Sequence, residues 1–280
     1  MSGQSPPKRR RITALLVVSC ALAAVAASSV AASASPGSFA RGSSELGTTG
    51  AGPNSVAVDA FGNVYTANSR ANNVTKLTPA GASTVLGATG TRPMGIALDP
   101  AGNVYTSNAG ANTVTKITPA GVSTVLGTTG QKPIGIKVDG AGNVYTTNYV
   151  DGTVTRITSS GVSNTLAATS THPLGITLDP AGNVYTANEG SNTVTRITSD
   201  GTASTFGTTG GWPQAIAIDP AGNVYTANWN SRNVSKITPG GASTILGRTG
   251  RRPIGITLDP AGNVYTANNG ENTVSRITPG

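Results

Sequence analysis

The chain has 280 residues, enough for one or two domains around a buried core, and 37% of them are hydrophobic. Only 11% are charged, while Gly reaches 37 copies and Pro 17, a composition of strands joined by tight turns that argues against helices. The formal charge of +8 does not make a nucleic-acid binder: Lys8, Arg9, Arg10 and Arg11 fall in an export segment, and Lys76, Lys116, Arg156, Arg196, Lys236 and Arg276 recur once per repeat, with no clustered basic stripe.

Residues 1–34 read as a signal peptide: the basic run Lys8 to Arg11, an apolar stretch from Ile12 to Val30, then Ala32-Ser33-Ala34 in the pattern that signal peptidases accept. Cleavage is expected after Ala34, which makes the mature protein secreted. A membrane span is disfavoured, because the far end of the stretch is Ala and Ser without a basic stop-transfer flank. Cys20 is the only cysteine, and Val17-Val18-Ser19-Cys20 has the look of a lipobox, so a cell-surface lipoprotein is the alternative. The apolar run continues through Ala21-Leu22-Ala23-Ala24-Val25, which favours simple removal. Either way the folded part carries no thiol. Residues 35–42 are a short linker.

From residue 43 the sequence is periodic. Pro53, Pro93, Pro133, Pro173, Pro213 and Pro253 are spaced by 40, as are the Asp residues from Asp59 to Asp259 and the Tyr residues from Tyr65 to Tyr265. Such a fixed period signals propeller blades or a solenoid. Within one unit, Gly95 to Leu98 is an alternating strand, and Asp99-Pro100-Ala101-Gly102-Asn103 has the chemistry of a type I turn with Gly in the left-handed position. Strands follow at Val104 to Ser107, Thr113 to Thr118 and Val122 to Leu126. Four antiparallel strands in 40 residues make one blade, so the fold class is all-β, a six-bladed β-propeller over residues 43–280. Ser43 to Gly47 aligns with the fourth strand Ser83 to Gly87, and the chain stops in a third strand, so the N-terminal strand is expected to close the ring by completing the last blade.

The motif Pro-x-Gly-Ile-x-x-Asp-Pro-Ala-Gly-Asn-Val-Tyr-Thr-Ala-Asn resembles the NHL-type propellers and the streptogramin B (virginiamycin B) lyase family. That family's propeller has seven blades. The resemblance implies catalytic histidines directly after the blade proline and a catalytic glutamate at the end of the second strand, working with magnesium. The first position is here Asn54, Met94, Ile134, Leu174, Gln214 and Ile254, and the second is Asn68, Asn108, Asn148, Asn188, Asn228 and Asn268. An amide cannot exchange a proton as general acid–base chemistry requires.

Each ring Asn is expected to cap the following turn by a bond to backbone, and each repeated Asp to bond the backbone of its own turn. No metal or other cofactor is expected. His172, the only histidine, reads as a loop residue. Departures from the consensus gather around the blade proline and just after the ring Asn, in loops that propeller topology puts on one face. There stand Trp212, Gln214, Trp229 and Asn230 in the fifth repeat, Tyr149 in the third, and Arg251 and Arg252 before the last proline. Lys137 replaces the Ala or Thr of its siblings on the innermost strand. Aromatic and Arg side chains on variable loops suit a protein, glycan or cell-wall ligand. The residues therefore favour a monomeric, non-catalytic binding propeller, with no nucleic-acid partner. A propeller enzyme of the streptogramin B lyase or lactonase type is the alternative.

Overall fold

The computed structural model describes residues 17–18 and 45–278. The cleavage site after Ala34, Cys20, the linker 35–42 and Ser43-Ser44 lie outside the described residues. Among those described there is no helix, and the strands form six sheets arranged as the six blades of a propeller.

The first blade runs Pro53–Val58, Val64–Asn68, Asn73–Leu77 and Ser83–Ala88, and the pattern repeats every 40 residues to Thr273–Ile277. The strands are antiparallel neighbours in chain order, so each blade is a meander that meets the next through its inner strand. Alternation decides what is buried: in the third strand Val74, Val114, Val154, Val194 and Val234 are all fully buried between blades, while the outermost strands are largely exposed. Inner strands approach so closely that a Cβ on Gly95 or Gly135 would strike the carbonyl oxygen of Ile134 or Leu174 in the next blade. Glycine is the residue that permits this approach.

A hydrogen-bonded latch closes the first hairpin of every blade. Asp59 Oδ1 accepts from the backbone N–H of Phe61 and Asn63 at 2.9 and 2.8 Å, and its Oδ2 accepts from Asn63 Nδ2 at 2.8 Å and from Tyr65 Oη at 3.0 Å. The repeated Asp is therefore structural, as its turn chemistry implies. Burial pushes these carboxylates up, but the Asn and Tyr bonds outweigh it and hold Asp59, Asp139, Asp179 and Asp219 below the ordinary 3.8. Burial first, and then the Asp bond, push Tyr65 and Tyr225 up to about 12. The recurring basic residue finds its place on the same Tyr: Lys76, Lys116 and Lys236 lie 5.7 to 5.9 Å from the ring centres of Tyr65, Tyr105 and Tyr225.

Closure by strand overlap is corrected. None of the described residues 45–50 is in a strand, and the sixth sheet holds three strands, Pro253–Leu258, Val264–Asn268 and Thr273–Ile277. The segment keeps half of the role expected of it: Gly47 abuts Leu77 and Gly81 of the first blade as Gly87 abuts Ile117 and Gly121 of the second. It packs on the first blade without pairing with Thr273–Ile277, so Val274 is 69% exposed where its five siblings are at 0%. Between the first and last inner strands lies Val17–Val18, which pairs in parallel with Pro53–Val58 and touches Pro253–Leu258.

Two outcomes follow from this geometry. Val234→Thr should cost about 1–3 kcal/mol for a buried hydroxyl, whereas Val274→Thr should stay within about 0.5 kcal/mol; equal losses in chemical denaturation would show that a fourth strand covers the last blade. Thermal stability should also be flat between about pH 4 and pH 10. The Asp latches add stability above 3.8 that is lost as pH falls through their lowered values, and the phenols add stability below 10 that is lost as pH rises toward about 12. Melting curves collected across pH check both limits.

Candidate functional site

The loop face is organised by the ring Asn. Asn68 is fully buried; its Nδ2 donates to Asn73 Oδ1 at 2.8 Å and to Thr75 Oγ1 at 2.9 Å, and its Oδ1 accepts from Thr66 Oγ1 at 3.1 Å. Asn108, Asn148 and Asn188 do the same with their own Thr neighbours. The expected side-chain bond to backbone is thus replaced by bonds to side chains, because the second strand's end is buried against the third strand. These amides are spent inside the blade. They present nothing to a ligand.

What surrounds them does. The backbone N–H after the ring Asn donates to the carbonyl of the residue before the blade proline: Tyr149 to Lys132 at 3.1 Å, Glu189 to His172 at 3.0 Å, Trp229 to Trp212 at 2.9 Å and Asn269 to Arg252 at 3.0 Å. The two variable positions of each blade are therefore bridged. The pre-proline residue is also held in the left-handed region, with φ of 54° at Arg92, 56° at Lys132, 55° at His172, 59° at Trp212 and 56° at Arg252. The first blade uses Gly52 there. A left-handed non-glycine residue costs about 1–2 kcal/mol, and bulky side chains in that conformation mark sites where strain serves function.

Four of these five side chains lie against an aromatic ring of one arc. His172 of the fourth blade stacks on Tyr149 of the third, centroids 4.5 Å apart at 7°, and Lys132 Nζ lies 4.2 Å from the centre of the Tyr149 ring. Trp212 and Trp229 stack at 5.1 Å and 21°, and Arg252 of the sixth blade lies 5.1 Å from the Trp229 ring. Between these two stacks stands Glu189. Its Oε2 accepts from Tyr149 Oη at 3.0 Å and its Oε1 from Gln214 Nε2 at 3.0 Å. Burial, followed by the bond to Glu189, pushes the Tyr149 phenol up, so it keeps its proton and remains a donor.

Of the residues singled out from the sequence, the structure brings Tyr149, Gln214, Trp212, Trp229 and Arg252 onto one arc. Asn230 and Arg251 are exposed one residue outside it, and Lys137 lies lower, in the wall of the central channel. Sequence reasoning passed over Glu189. Its signal was present: among Ser69, Ala109, Tyr149, Glu189, Trp229 and Asn269 it is the only carboxylate. His172 is not an isolated loop residue but half of a stack.

Magnesium, implied by the resemblance, does not fit this donor set. The ion demands near-octahedral oxygen coordination, usually through one or two carboxylates together with waters. Among the described residues no three of His, Cys, Asp and Glu converge.

A model of the virginiamycin B lyase family matches residues 122–280. A search of curated protein sequences gave no match. Among solved structures, a streptogramin B lyase is 20% identical with a TM-score of 0.72, over 82% of this chain and 80% of that one. A catalytically inactive virginiamycin B lyase from Staphylococcus aureus, crystallised with quinupristin, is 19% identical at TM-score 0.73, over 82% of each chain. A gluconolactonase from Xanthomonas campestris is 16% identical at TM-score 0.61, over 79% of this chain and 83% of that one. At these identities the likeness establishes the propeller fold.

The strained loops give a direct test. Arg92→Gly should raise stability by about 1 kcal/mol, since Arg92 is exposed and left-handed. Trp212→Gly should gain little, because the relief is offset by about 0.5–1.5 kcal/mol of ring stacking. A double-mutant cycle between Trp212 and Trp229 should show coupling of that order, and additive losses would mean that the rings do not stack in solution.

Proposed function

Since the chain belongs to the virginiamycin B lyase family, we propose that it is a propeller enzyme of the lyase or lactonase type, working at the arc on its loop face. The observation that carries this reading is the carboxylate of Glu189, held by Tyr149 and Gln214 through one 3.0 Å bond on each oxygen, beside the His172–Tyr149 stack. Lyase and lactonase reactions both begin when a positioned base removes a proton, from carbon in one case and from water in the other, and both end when an acid returns one to the leaving oxygen. Glu189 is the base in this account. Its two neutral donors aim the carboxylate without cancelling its charge.

His172 is the acid, because a charged imidazole carries a proton on each ring nitrogen to donate and its stack on Tyr149 fixes the ring. Tyr149 positions both groups at once, through its hydroxyl on Glu189 and its ring face on His172. The exposed face of Trp212 supplies a flat surface on which the substrate settles beside the carboxylate. Both acid–base groups stand off the places where the family motif puts them, His172 two residues earlier, before the proline, and Glu189 one residue later, after the ring Asn. The family's own positions hold Leu174 and Asn188 in this blade. The substrate accordingly differs from streptogramin B, and the reaction proceeds without magnesium. The export signal read over residues 1–34 supports a reaction outside the cytoplasm.

A second reading, binding without turnover, is favoured by one observation: Trp212 remains 46% exposed while stacked on Trp229. A panel of lactones and cyclic ester peptides, assayed with a chelator present and followed by mass spectrometry, separates the two. Wild type should open at least one of them and leave streptogramin B intact. Glu189→Gln should lose roughly 10²–10⁴-fold in rate, and Trp212→Ala should chiefly raise KM. Retention of a glycan or peptide dependent on Trp212, with no turnover across the panel, would establish the binding reading instead.

A further inference from the structure

Where the fifth blade meets the sixth, the loop face gathers arginine. Arg232, Arg248, Arg251 and Arg252 are all exposed there. The chain ties their backbones together: Thr249 N–H donates to the Arg232 carbonyl at 3.0 Å, Gly270 N–H to that of Arg251 at 2.9 Å and Asn269 N–H to that of Arg252 at 3.0 Å, while Arg248 is the register partner of Asn233. One carboxylate reaches the same loop, that of Glu271, with an oxygen 2.7 Å from where a Cβ on Gly250 would lie.

The repeats show that the fold does not need these charges. Arg232 stands where the siblings carry Asn72, Asn112, Gly152, Asn192 and Asn272, Arg248 where they carry Ala or Thr, and Arg251 where they carry Ala, Thr, Gln or Gly. Arg232 also removes a bond. At three other seams the Asn accepts, through its Oδ1, from the N–H of the pre-proline residue of the next blade, that of Arg92 and Lys132 at 2.9 Å and that of Trp212 at 2.7 Å. A guanidinium has no acceptor to offer the N–H of Arg252, and Arg232 holds the left-handed φ of 53° that Asn tolerates better. Local structure is given up at this one position, as it is where a site is built.

A flat surface adjoins the arginines. Trp212 is 46% exposed on its stack with Trp229, and Arg252 lies 5.1 Å from the Trp229 ring. An indole face accepts the apolar face of a sugar ring, and a guanidinium fork matches a carboxylate. Single-stranded nucleic acid also uses aromatic and basic groups, but along a continuous groove, whereas this charge is confined to one seam. We propose that the seam binds an acidic sugar, its ring on Trp212 and its carboxylate among the four arginines. Binding stands on these residues alone; that the sugar carries the bond opened at Glu189 rests on the acid–base reading.

Calorimetric titration of the full chain with trigalacturonate, its neutral methyl ester and a thymidine oligonucleotide tests this without any turnover. Wild type should bind the acid about tenfold more tightly than the ester, with the difference shrinking as salt rises. Arg232→Asn separates binding from structure: it should melt higher, because the bond to the Arg252 N–H returns, and still bind trigalacturonate about fivefold more weakly. Trp212→Ala should weaken acid and ester alike. Equal affinity for acid and ester, no binding of either, or an unchanged affinity in Arg232→Asn would overturn the proposal even if turnover at Glu189 is real. Tighter binding of the oligonucleotide than of trigalacturonate would overturn it too, in favour of a nucleic-acid site. Arginine-dependent binding of trigalacturonate in a protein whose Glu189→Gln variant retains its activity would leave the seam site standing and remove only the acid–base reading.

Discussion

The loop face depends on one interaction, the buried amide at the end of each second strand. Asn68 and its equivalents tie the second strand to the third, and the loop arriving from the preceding blade is seated directly on them: a Cβ on Gly50, Gly90 or Gly250 would lie within 3 Å of the Asn amide nitrogen. With that floor fixed, the residues on either side have a defined position in space although they belong to loops. This is how a scaffold of near-identical blades supplies precise geometry to side chains that differ from blade to blade. The two positions that vary are joined by a backbone bond and aimed by a left-handed turn.

The same arrangement bears on why the proposed acid–base groups stand off the positions suggested by family resemblance. A residue at the ring Asn position faces inward and is consumed by Thr and Asn partners, so a proton-transfer group placed there would have to break the blade's own network. One residue later the chain has left the strand, and Glu189 meets Tyr149 from one neighbour and Gln214 from the other. A contact drawn from three blades needs neighbouring loops and no rearrangement of the core.

Much of this was legible in the sequence, for reasons specific to each residue. The 40-residue step of Pro, Asp and Tyr, with Gly in the turn, dictates hairpins of fixed length, and their alternation dictates the blade. Asp59 and its siblings behaved as turn chemistry requires. The ring Asn did not, because the pattern does not show that the strand end is buried and that Thr75 or Thr113 competes with backbone for the amide. Similarity between Ser43 to Gly47 and a fourth strand foretold where Gly47 packs but not whether it pairs, since packing between blades and pairing within a sheet are separate contacts. The stacking of His172 on Tyr149 was illegible for a related reason: it joins different blades and depends on a positive φ that a pre-proline His does not advertise.

The arc is the centre of the account, and the chain carries its own reporter there, because Trp212 and Trp229 are its only tryptophans. Intrinsic fluorescence should be followed while the protein is titrated with whichever lactone or cyclic ester it opens. A saturable change in emission, at concentrations matching those that saturate turnover and absent in Trp212→Ala, is the predicted result. Full turnover with emission unchanged throughout the titration would contradict it, and would place the working site away from the loop face.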